Sequence, residues 1–240
     1  MRVSVVIGFR DWGAGRLELA ARSVLESLAG LDGQLIVSDY GSRDPEPARA
    51  VAAGLGVAHV YTPVQGPWSR SRALNAGFAL SDGDLLVSTD ADMLFAPGTF
   101  PRVVRTARRH AGAALFMQCR DLPVGMDDQW LRLHRPDWAD LERAARLRPR
   151  WGMGGMMAIP RAGFEALRGF DERFHTYGER ISTSRCAPDG PATGPCGSTT
   201  PRRGCTTCGT PRPRPRRTAP PGAGRRSRPT AGSSRRTPPG

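Results

Sequence analysis

The last quarter of this 240-residue chain lacks large apolar side chains. No Val, Leu, Ile, Met, Phe, Trp or Tyr occurs between Ser182 and Gly240, and the segment is rich in Pro, Gly, Ser, Thr and Arg. Such a composition cannot bury enough apolar surface to offset the entropy that is lost on ordering. We therefore expect residues 1–179 to form one folded domain and residues 180–240 to form a disordered tail.

Lysine is absent as well, so all 35 basic residues are Arg. Residues 180–240 hold 13 Arg and one acid, whereas residues 1–179 hold 22 Arg and 21 acids. The net charge of +13 is therefore a property of the tail, and the body is close to neutral. A neutral body does not predict a specific nucleic-acid partner. A basic-tailed nucleic-acid-binding protein is the weaker alternative.

The chain also lacks any apolar run near the roughly 18 residues that a membrane helix needs. The apolar N-terminal stretch, Val3–Ile7, is too short for a signal peptide. We expect a cytoplasmic location, and peripheral association with a membrane remains open. Cys119, the single cysteine of the body, is interpreted as a small buried hydrophobe. The tail cysteines lack the paired spacing and the apolar residues of a zinc domain.

Strand and helix patterns alternate along the body. β-Branched and apolar runs predict strands at residues 3–8, 34–39, 57–61, 84–89, 114–119 and 156–159. Helical spacing of apolar residues predicts helices at 16–28, 48–55, 71–80, 97–110, 137–147 and 162–167, with Pro97 at the start of the fourth. This order predicts an α/β, Rossmann-like fold, in which a mostly parallel sheet is flanked by helices.

Polar residues follow the predicted strands, where ligands of open α/β sheets bind. Arg10 follows the first strand, Asp39 ends the second, and Asp90-Ala91-Asp92 follows the fourth. Two carboxylates one residue apart can hold a hard divalent cation with open positions for phosphate oxygens. Taken alone, this DxD triplet is more simply a loop with two solvated acids. The tryptophans Trp68 and Trp130 are placed in loops, where anchoring a loop is favoured over stacking on sugars.

Four further stretches accompany the DxD triplet in a fixed order. They are Val5–Arg10, Ile36–Asp44, Arg72–Gly77 and the segment from Trp151 to Phe174. Together with the triplet they resemble the inverting GT-A glycosyltransferases of the "family two" type, with a galactosyltransferase-like C-terminal half. The resemblance covers residues 2–179 and is not specific for the sugar.

The resemblance implies a site for a nucleoside diphosphate sugar, with UDP favoured. It assigns Asp90 and Asp92 to Mn²⁺ or Mg²⁺. Alternatives remain open for three groups: an Asx turn for Asp39, a solvated helix face for Arg72, and a Gly-rich strand entry for the segment from Trp151. The implied donor-binding residues are Gly8, Arg10, Asp39, Arg72, Asn75, Asp90, Trp151, Gly154 and Gly155.

A carboxylate base is required to deprotonate the acceptor hydroxyl. In the family it lies in an acidic pair after the aromatic-Gly segment that Tyr177-Gly178 resembles. This chain offers only Glu179, followed by Arg180 and no helix pattern. Glu179 is therefore a weak candidate base, and the expected one is missing.

The loss of one nucleotide from the gene would explain why the sequence departs from the family after Glu179. When the residues after Glu179 are written with G- or C-ending codons and one G is restored, they read Ala-Asp-Leu-Asp-Leu-Ala-Val-Arg-Ala-Gly. The same shift applied to Gly204–Pro211 gives Leu-His-His-Leu-Arg-His-Pro. Both outputs resemble the family, so we interpret the tail as an out-of-frame segment.

The resemblance thus implies metal-dependent, inverting sugar transfer to a saccharide, lipid or small-molecule acceptor. The first alternative is a catalytically dead donor-binding module, which the missing base favours. A nucleotidyltransferase is also possible, but the segment Gly8–Gly13 is a poor match to the Gly-rich basic loop that follows the first strand in those enzymes.

Overall fold

The structure is a computed structural model that describes residues 1–147 and 155–174. The predicted tail lies outside the described residues, so its disorder and the domain boundary at residue 179 stay predictions. In chain order the elements are β1 (Val3–Phe9), α1 (Ala14–Leu28), β2 (Gly33–Tyr40), α2 (Glu46–Leu55), β3 (Ala58–Thr62), α3 (Arg70–Ala79), β4 (Leu85–Asp90), α4 (Thr99–Arg109), β5 (Leu115–Phe116), β6 (Arg120–Asp121), α5 (Asp128–His134), α6 (Trp138–Ala144), β7 (Arg146–Leu147), β8 (Met156–Pro160) and α7 (Arg161–Ala166).

Six of the strands form one sheet in the order β3-β2-β1-β4-β8-β5. β1 pairs in parallel with β2 and β4, and β2 pairs in parallel with β3. β8 runs antiparallel to both β4 and β5. The predicted mostly parallel sheet flanked by helices is confirmed. Every residue of the central β1 is buried, which explains its continuous apolar sequence.

Two apolar clusters cover the two faces of this sheet. Val5 of β1 belongs to the cluster that contains Leu17 of α1, whereas its neighbour Val6 belongs to the cluster that contains Leu74 of α3. The division arises because successive side chains of a strand point to opposite faces. Gly77 lets α3 approach closely, since a Cβ at this position would lie 2.4 Å from Cγ1 of Val6.

The first turn of α3 lies at the edge of the sheet where the parallel strands end. The helix begins after Ser69, which has an extended backbone and accepts a hydrogen bond on Oγ from the backbone N–H of Arg72 at 3.4 Å. Ser69 is buried, and its hydroxyl also donates to the carbonyl of Phe174 at 3.2 Å. This cap fixes the entry of α3 and with it the position of Arg70.

Four predictions about local structure were wrong. The strand predicted at 114–119 is only two residues long, and the helix predicted at 137–147 ends at Ala144, because residues 146–147 pair with β6. Pro97 does not open α4, since Gly98 with φ 78° is the N-cap. Trp130 lies in the unpredicted helix α5, which Asp127 caps through a 2.9 Å hydrogen bond from the N–H of Trp130. Within the described part of the chain, no helix is both long enough and apolar enough to cross a bilayer.

Candidate functional site

The ends of β2, β1 and β4 bring the predicted polar residues to one edge of the sheet. In the strand register, Phe9 lies beside Asp39 on one side, and Gly8 lies beside Asp90 on the other. Asp39 and Asp90 are therefore separated by the single strand β1, or two strand spacings of about 5 Å each. A ligand of nucleotide size can reach both.

Asp39 is fully buried at the end of β2. Its Oδ1 accepts a hydrogen bond from the backbone N–H of Ser42, three residues on, at 3.1 Å. Asp39 therefore caps the Gly41-Ser42 turn, as the alternative interpretation expected, although an Asx turn in the strict sense bonds to the residue two positions on. Its Oδ2 is buried and has no partner among the described residues. Burial raises the pKa of Asp39 above its usual value, although the hydrogen bonds from Ser42 oppose this. One carboxylate oxygen thus shapes the turn, and the other can accept a hydrogen bond from a ligand.

The turn after Asp39 is tightly packed. Gly41 has φ 80°, and a Cβ there would lie 2.8 Å from the carbonyl oxygen of Val64. The loop after β1 is tied to the same turn: the N–H of Asp11 donates to Oγ of Ser42 at 3.1 Å, and Oδ1 of Asp11 accepts from the N–H of Arg43 at 3.1 Å. These bonds hold Asp11 at φ 49°, a conformation that non-glycine residues rarely adopt.

Arg10 and Trp68 lie near the carboxyl end of β1, the strand between the two that carry the acids. Nη1 of Arg10 donates to the carbonyl oxygen of Gly66 at 2.7 Å, so Arg10 holds the loop that carries Trp68. The Trp68 ring packs edge-to-face on Tyr40, with 6.4 Å between the ring centroids. Its far end lies 3.7 Å from where a Cβ on Gly8 would stand. Trp68 is thus half-buried over β1 and is both a loop anchor and a surface of the site.

Gly8 is not required by the packing of the protein itself. A Cβ at this position would meet side-chain atoms of Ala73, Trp68 and Leu74 at 3.6 to 3.8 Å, which is ordinary contact. A methyl group there, beside Asp90 in the strand register, would therefore fit against these side chains without a clash. A need for glycine would therefore come from a ligand.

Asp90 is held from two sides. Nε of Arg70 donates a short hydrogen bond to its Oδ1, and the backbone N–H of Asp90 donates to the carbonyl of Gly155 at 3.2 Å. A Cβ on Gly155 would lie 2.6 Å from Sδ of Met93 and 3.3 Å from Oδ2 of Asp90. The N–H of Gly155 donates to Sγ of Cys119 at 3.0 Å, and Cys119 is buried as predicted. Gly155 therefore belongs to the surroundings of Asp90.

Asp92 is exposed in the turn that follows β4. No cluster of three or more His, Cys, Asp or Glu suited to a metal occurs within residues 1–147 and 155–174. Asp90 and Asp92 supply two carboxylates, and Mg²⁺ and Mn²⁺ commonly take one or two carboxylates with water and substrate phosphates completing the shell. The donor set fits a divalent cation on these terms.

Arg72 and Asn75 contact the turn at residues 169–172. Nε of Arg72 lies 3.7 Å from Oε2 of Glu172, and the hydroxyl of Tyr40 together with Glu172 raises the pKa of Arg72. The amide of Asn75 donates to the carbonyl of Phe170 at 3.0 Å and to Oε1 of Glu172 at 2.9 Å, and it accepts from the N–H of Phe170. These bonds favour a positioning role for Asn75, and direct donor contact by either residue stays a prediction.

Sequence reasoning missed Arg70. It is the first residue of α3 and lies two positions before the predicted Arg72, and its side chain is only 14% exposed. The cap residue Ser69 marks the start of the helix and is the signal that could have placed Arg70 at the edge of the sheet. Of the other predicted residues, Trp151, Gly154 and Glu179 lie outside the described residues.

A shallow groove of about 410 Å³ lies elsewhere, between α3 and α7. Its lining includes Phe78, Phe164, Arg161 and Arg168. Neither Asp39 nor Asp90 borders it. Asn75, one of the predicted donor-binding residues, also lines it, whereas the two acids are at the open edge of the sheet.

Comparisons with known proteins agree with this geometry. The model of the family described as glycosyl transferase family 2 matches residues 4–167. The undecaprenyl-phosphate 4-deoxy-4-formamido-L-arabinose transferase of Pseudomonas aeruginosa is 35% identical over 108 residues, which is 44% of this chain and 32% of that protein. The chain thus matches about a third of this curated relative.

Among solved structures, the mannosyltransferase PcManGT from Pyrobaculum calidifontis, in complex with GDP-Man and Mn²⁺, superposes with a TM-score of 0.54 at 22% identity, covering 77% of this chain and 50% of its own. S. aureus TarS superposes with a TM-score of 0.50 at 12% identity, covering 73% and 52%. These likenesses concern the fold, which is the GT-A type. With the family model matched over most of the body, the chain belongs to glycosyl transferase family 2.

Proposed function

We propose that residues 1–179 bind a nucleoside diphosphate sugar, with UDP as the favoured nucleotide, and belong to an enzyme that transfers the sugar with inversion. The acceptor is a saccharide, a lipid or a small molecule. The observation that carries the proposal is the shared edge of β2, β1 and β4. There Asp39, whose buried Oδ2 has no partner among the described residues, and Asp90 lie on the two sides of the end of β1, which contains Gly8.

Asp39 suits the nucleoside part of the donor. Its buried Oδ2 would gain a hydrogen bond from the N–H of a nucleobase or from a ribose hydroxyl. Such a bond would be favourable because a buried acceptor without a hydrogen-bond donor costs free energy. The ring of Trp68 lies next to Gly8 of β1, the strand between β2 and β4, and offers a flat surface to a base or sugar. The mannosyltransferase relative is in complex with GDP-Man, so guanine is the nucleotide to compare with uracil.

Asp90 and Asp92 suit the diphosphate end of the donor through Mn²⁺ or Mg²⁺. The cation, when bound, would neutralise charge on the departing nucleoside diphosphate. The chain's own contribution is to orient Asp90, which Arg70 and the backbone of Gly155 hold in place. The presence of Mn²⁺ in the PcManGT complex supports the proposal of a divalent cation.

A second candidate function is donor binding without sugar transfer. It is favoured by the sequence after Tyr177-Gly178, where Glu179 stands alone and the acidic pair is absent. Without a held base, deprotonation of the acceptor hydroxyl loses about 10² to 10⁴ in rate. Donor binding separates from transfer in this case, so the two activities need separate assays.

The relative from Pseudomonas aeruginosa is named for an undecaprenyl-phosphate substrate. That name supports keeping a lipid among the acceptors and supports peripheral contact with a membrane, whereas the cytoplasmic location stays a prediction. The near-neutral body supports the absence of a specific nucleic-acid partner.

Calorimetry with UDP and GDP, each with and without Mn²⁺, tests the proposed donor site. The informative variant is Gly8→Ala, because its methyl group has room in the protein itself. We expect wild-type thermal stability and about tenfold weaker UDP binding, which corresponds to ~1.4 kcal/mol. Gly54→Ala, on the exposed part of α2 with no atom within 4 Å, is the matched control.

Two outcomes would contradict the proposal. Unchanged UDP affinity in Gly8→Ala would place the nucleotide elsewhere. Equal UDP affinity with and without metal, or an unaltered metal effect in Asp92→Ala, would remove the cation from the site. Release of nucleoside diphosphate from a panel of sugar nucleotides then distinguishes transfer from binding alone.

A further inference from the structure

Arg70 is the most enclosed cation among the ion pairs of the described residues. Its side chain is 14% exposed, and Nε is bonded to Oδ1 of Asp90. Surface pairs such as Arg22 with Glu18 and Arg49 with Glu46 have Arg side chains that are 56% and 57% exposed. Water therefore screens the charge of Arg70 less than it screens the others.

This charge is permanent, because a guanidinium stays protonated at every physiological pH. It also has a fixed place, since Ser69 caps α3 and Arg70 is its first residue. A positive charge thus touches the carboxylate that the proposed function assigns to a divalent cation. An Arg in this position opposes the binding of a bare cation and attracts a diphosphate.

From this contact we propose that Arg70 couples the two ligands, so that a divalent cation binds well only when a nucleoside diphosphate binds with it. The inference rests on the proposed function and adds a residue and a binding order to it. When a diphosphate binds, its oxygens would replace Asp90 as the acceptor of the hydrogen bond from the Arg70 guanidinium. Oδ1 of Asp90 would then be free to bind the cation.

Coulomb's law sets the size of the effect. For a charge of +1 and a charge of +2 about 6 Å apart, at an effective dielectric constant of about 40 to 80, the repulsion lowers the affinity for the cation about 10- to 100-fold. A diphosphate between them cancels this penalty. By linkage, the cation must raise the affinity for the diphosphate by the same factor.

The test is calorimetry on the full chain with Mn²⁺ alone, UDP alone and both together, corrected for the Mn²⁺–UDP complex in solution. In the wild type we expect UDP to raise the Mn²⁺ affinity at least tenfold, whereas uridine, which lacks the diphosphate, leaves it within twofold. In Arg70→Gln we expect Mn²⁺ alone to bind about tenfold more tightly and UDP, at saturating Mn²⁺, about tenfold more weakly.

Two further variants complete the design. Arg70→Lys keeps the positive charge but loses the planar guanidinium that can donate two parallel hydrogen bonds to a phosphate. Mn²⁺ alone should therefore bind as in the wild type, and UDP should bind more weakly. Arg105→Gln removes an equal charge from the exposed face of α4 and should leave both affinities within twofold. Thermal unfolding of each variant shows that it is folded.

Each contrary result has a definite meaning. Mn²⁺ alone binding equally or more weakly to Arg70→Gln would make Arg70 a simple support of Asp90 and overturn the coupling. An Arg105→Gln variant that behaves like Arg70→Gln would assign the effect to net charge and overturn it too. If Arg70→Gln does not fold, the wild type decides. The proposal is overturned if UDP raises the Mn²⁺ affinity of the wild type less than tenfold, or if uridine raises it as much as UDP does. A wild type that binds neither Mn²⁺ nor UDP contradicts the proposed function itself.

Discussion

The variant Asp39→Asn should make the protein more stable and less able to bind the nucleotide. Asp39 is fully buried, and only one of its carboxylate oxygens has a partner among the described residues. Burial raises its pKa, so the ionised form carries a free-energy penalty in the folded state. Asn has the same shape, keeps an acceptor for the N–H of Ser42 and removes the charge.

The sign of the pH dependence follows from this raised pKa. As the pH rises, the unfolded chain loses the proton of Asp39 first, so folding loses stability between the unfolded pKa and the folded one. The penalty is absent below the unfolded pKa and reaches its full size above the folded one. His59, on the neighbouring strand, opposes the rise in the pKa of Asp39 when it is protonated, although burial lowers the pKa of His59 itself.

The expected gain at pH 7 is about 1 kcal/mol, as for other relieved functional sites. For a domain of this size it corresponds to a rise in Tm of about 2 to 4 °C. The nucleotide should lose a hydrogen bond to a charged acceptor, about 1.5 to 3 kcal/mol, or roughly 10- to 150-fold in affinity. Stability and binding therefore change in opposite directions.

Thermal unfolding between pH 4 and pH 8 and calorimetry with UDP measure the two effects. Asp32→Asn, at an exposed position before β2, is the control and should alter neither. A lower Tm for Asp39→Asn at pH 7 would show that Oδ2 has a structural partner. An unchanged UDP affinity would remove Asp39 from the nucleotide site.

Three other predictions concern packing, the tail and turnover. Gly77→Ala should lose about 1 to 3 kcal/mol in the free energy of unfolding by urea, since its Cβ would lie 2.4 Å from Val6, whereas the exposed Gly54→Ala should gain about 0.5 to 1 kcal/mol. Trypsin should cut first after arginines between Ser182 and Gly240, and cleavage within the body first would contradict the composition argument. Restoring one nucleotide after the Glu179 codon should raise the rate of nucleoside diphosphate release about 10²- to 10⁴-fold. Equal turnover of the chain as given and of the frame-restored chain would contradict both the frameshift and the placement of the catalytic base.

The core of the fold was predictable because the central strands are buried on both faces. Such strands have continuous apolar sequences and end where polar residues begin, so β2 and β4 could be placed to within a residue or two at Asp39 and Asp90. Parallel pairing then places both acids at one edge of the sheet. Local sequence was sufficient here, since a single physical requirement, burial, fixed both strands.

The choice between Arg70 and Arg72 was not predictable from the pattern alone. Two residues along a helix are separated by about 200° around its axis, so only one of the pair can face Asp90. Which one does so depends on the residue at which α3 begins, and Ser69 sets that start through its cap and its contact with Phe174, 105 positions away. A shift of one residue in a helix start is within the ordinary uncertainty of prediction from sequence.

Segments with short elements were harder to predict for a related reason. β6 and β7 are two residues each and pair across 25 positions, and α5 contains no buried residue. Neither leaves a periodic apolar signal. In α5 the information is in the cap at Asp127 and in the stacking of Trp130 on His134, with ring centroids 4.3 Å apart.

The described contacts also separate donor binding from sugar transfer along the chain. Asp90 is braced by the backbone of Gly155, and α3 is braced by Asn75 through the turn at Phe170. The described supports of Asp90 and α3 thus come from residues 1–147 and 155–174. The expected base, by contrast, belongs after Tyr177-Gly178, where the sequence departs from the family. A chain that binds UDP and fails to transfer sugar would therefore agree with the donor site as assigned. UDP binding that is unchanged on altering Asp39 or Gly8 would contradict that site whether or not the chain transfers sugar.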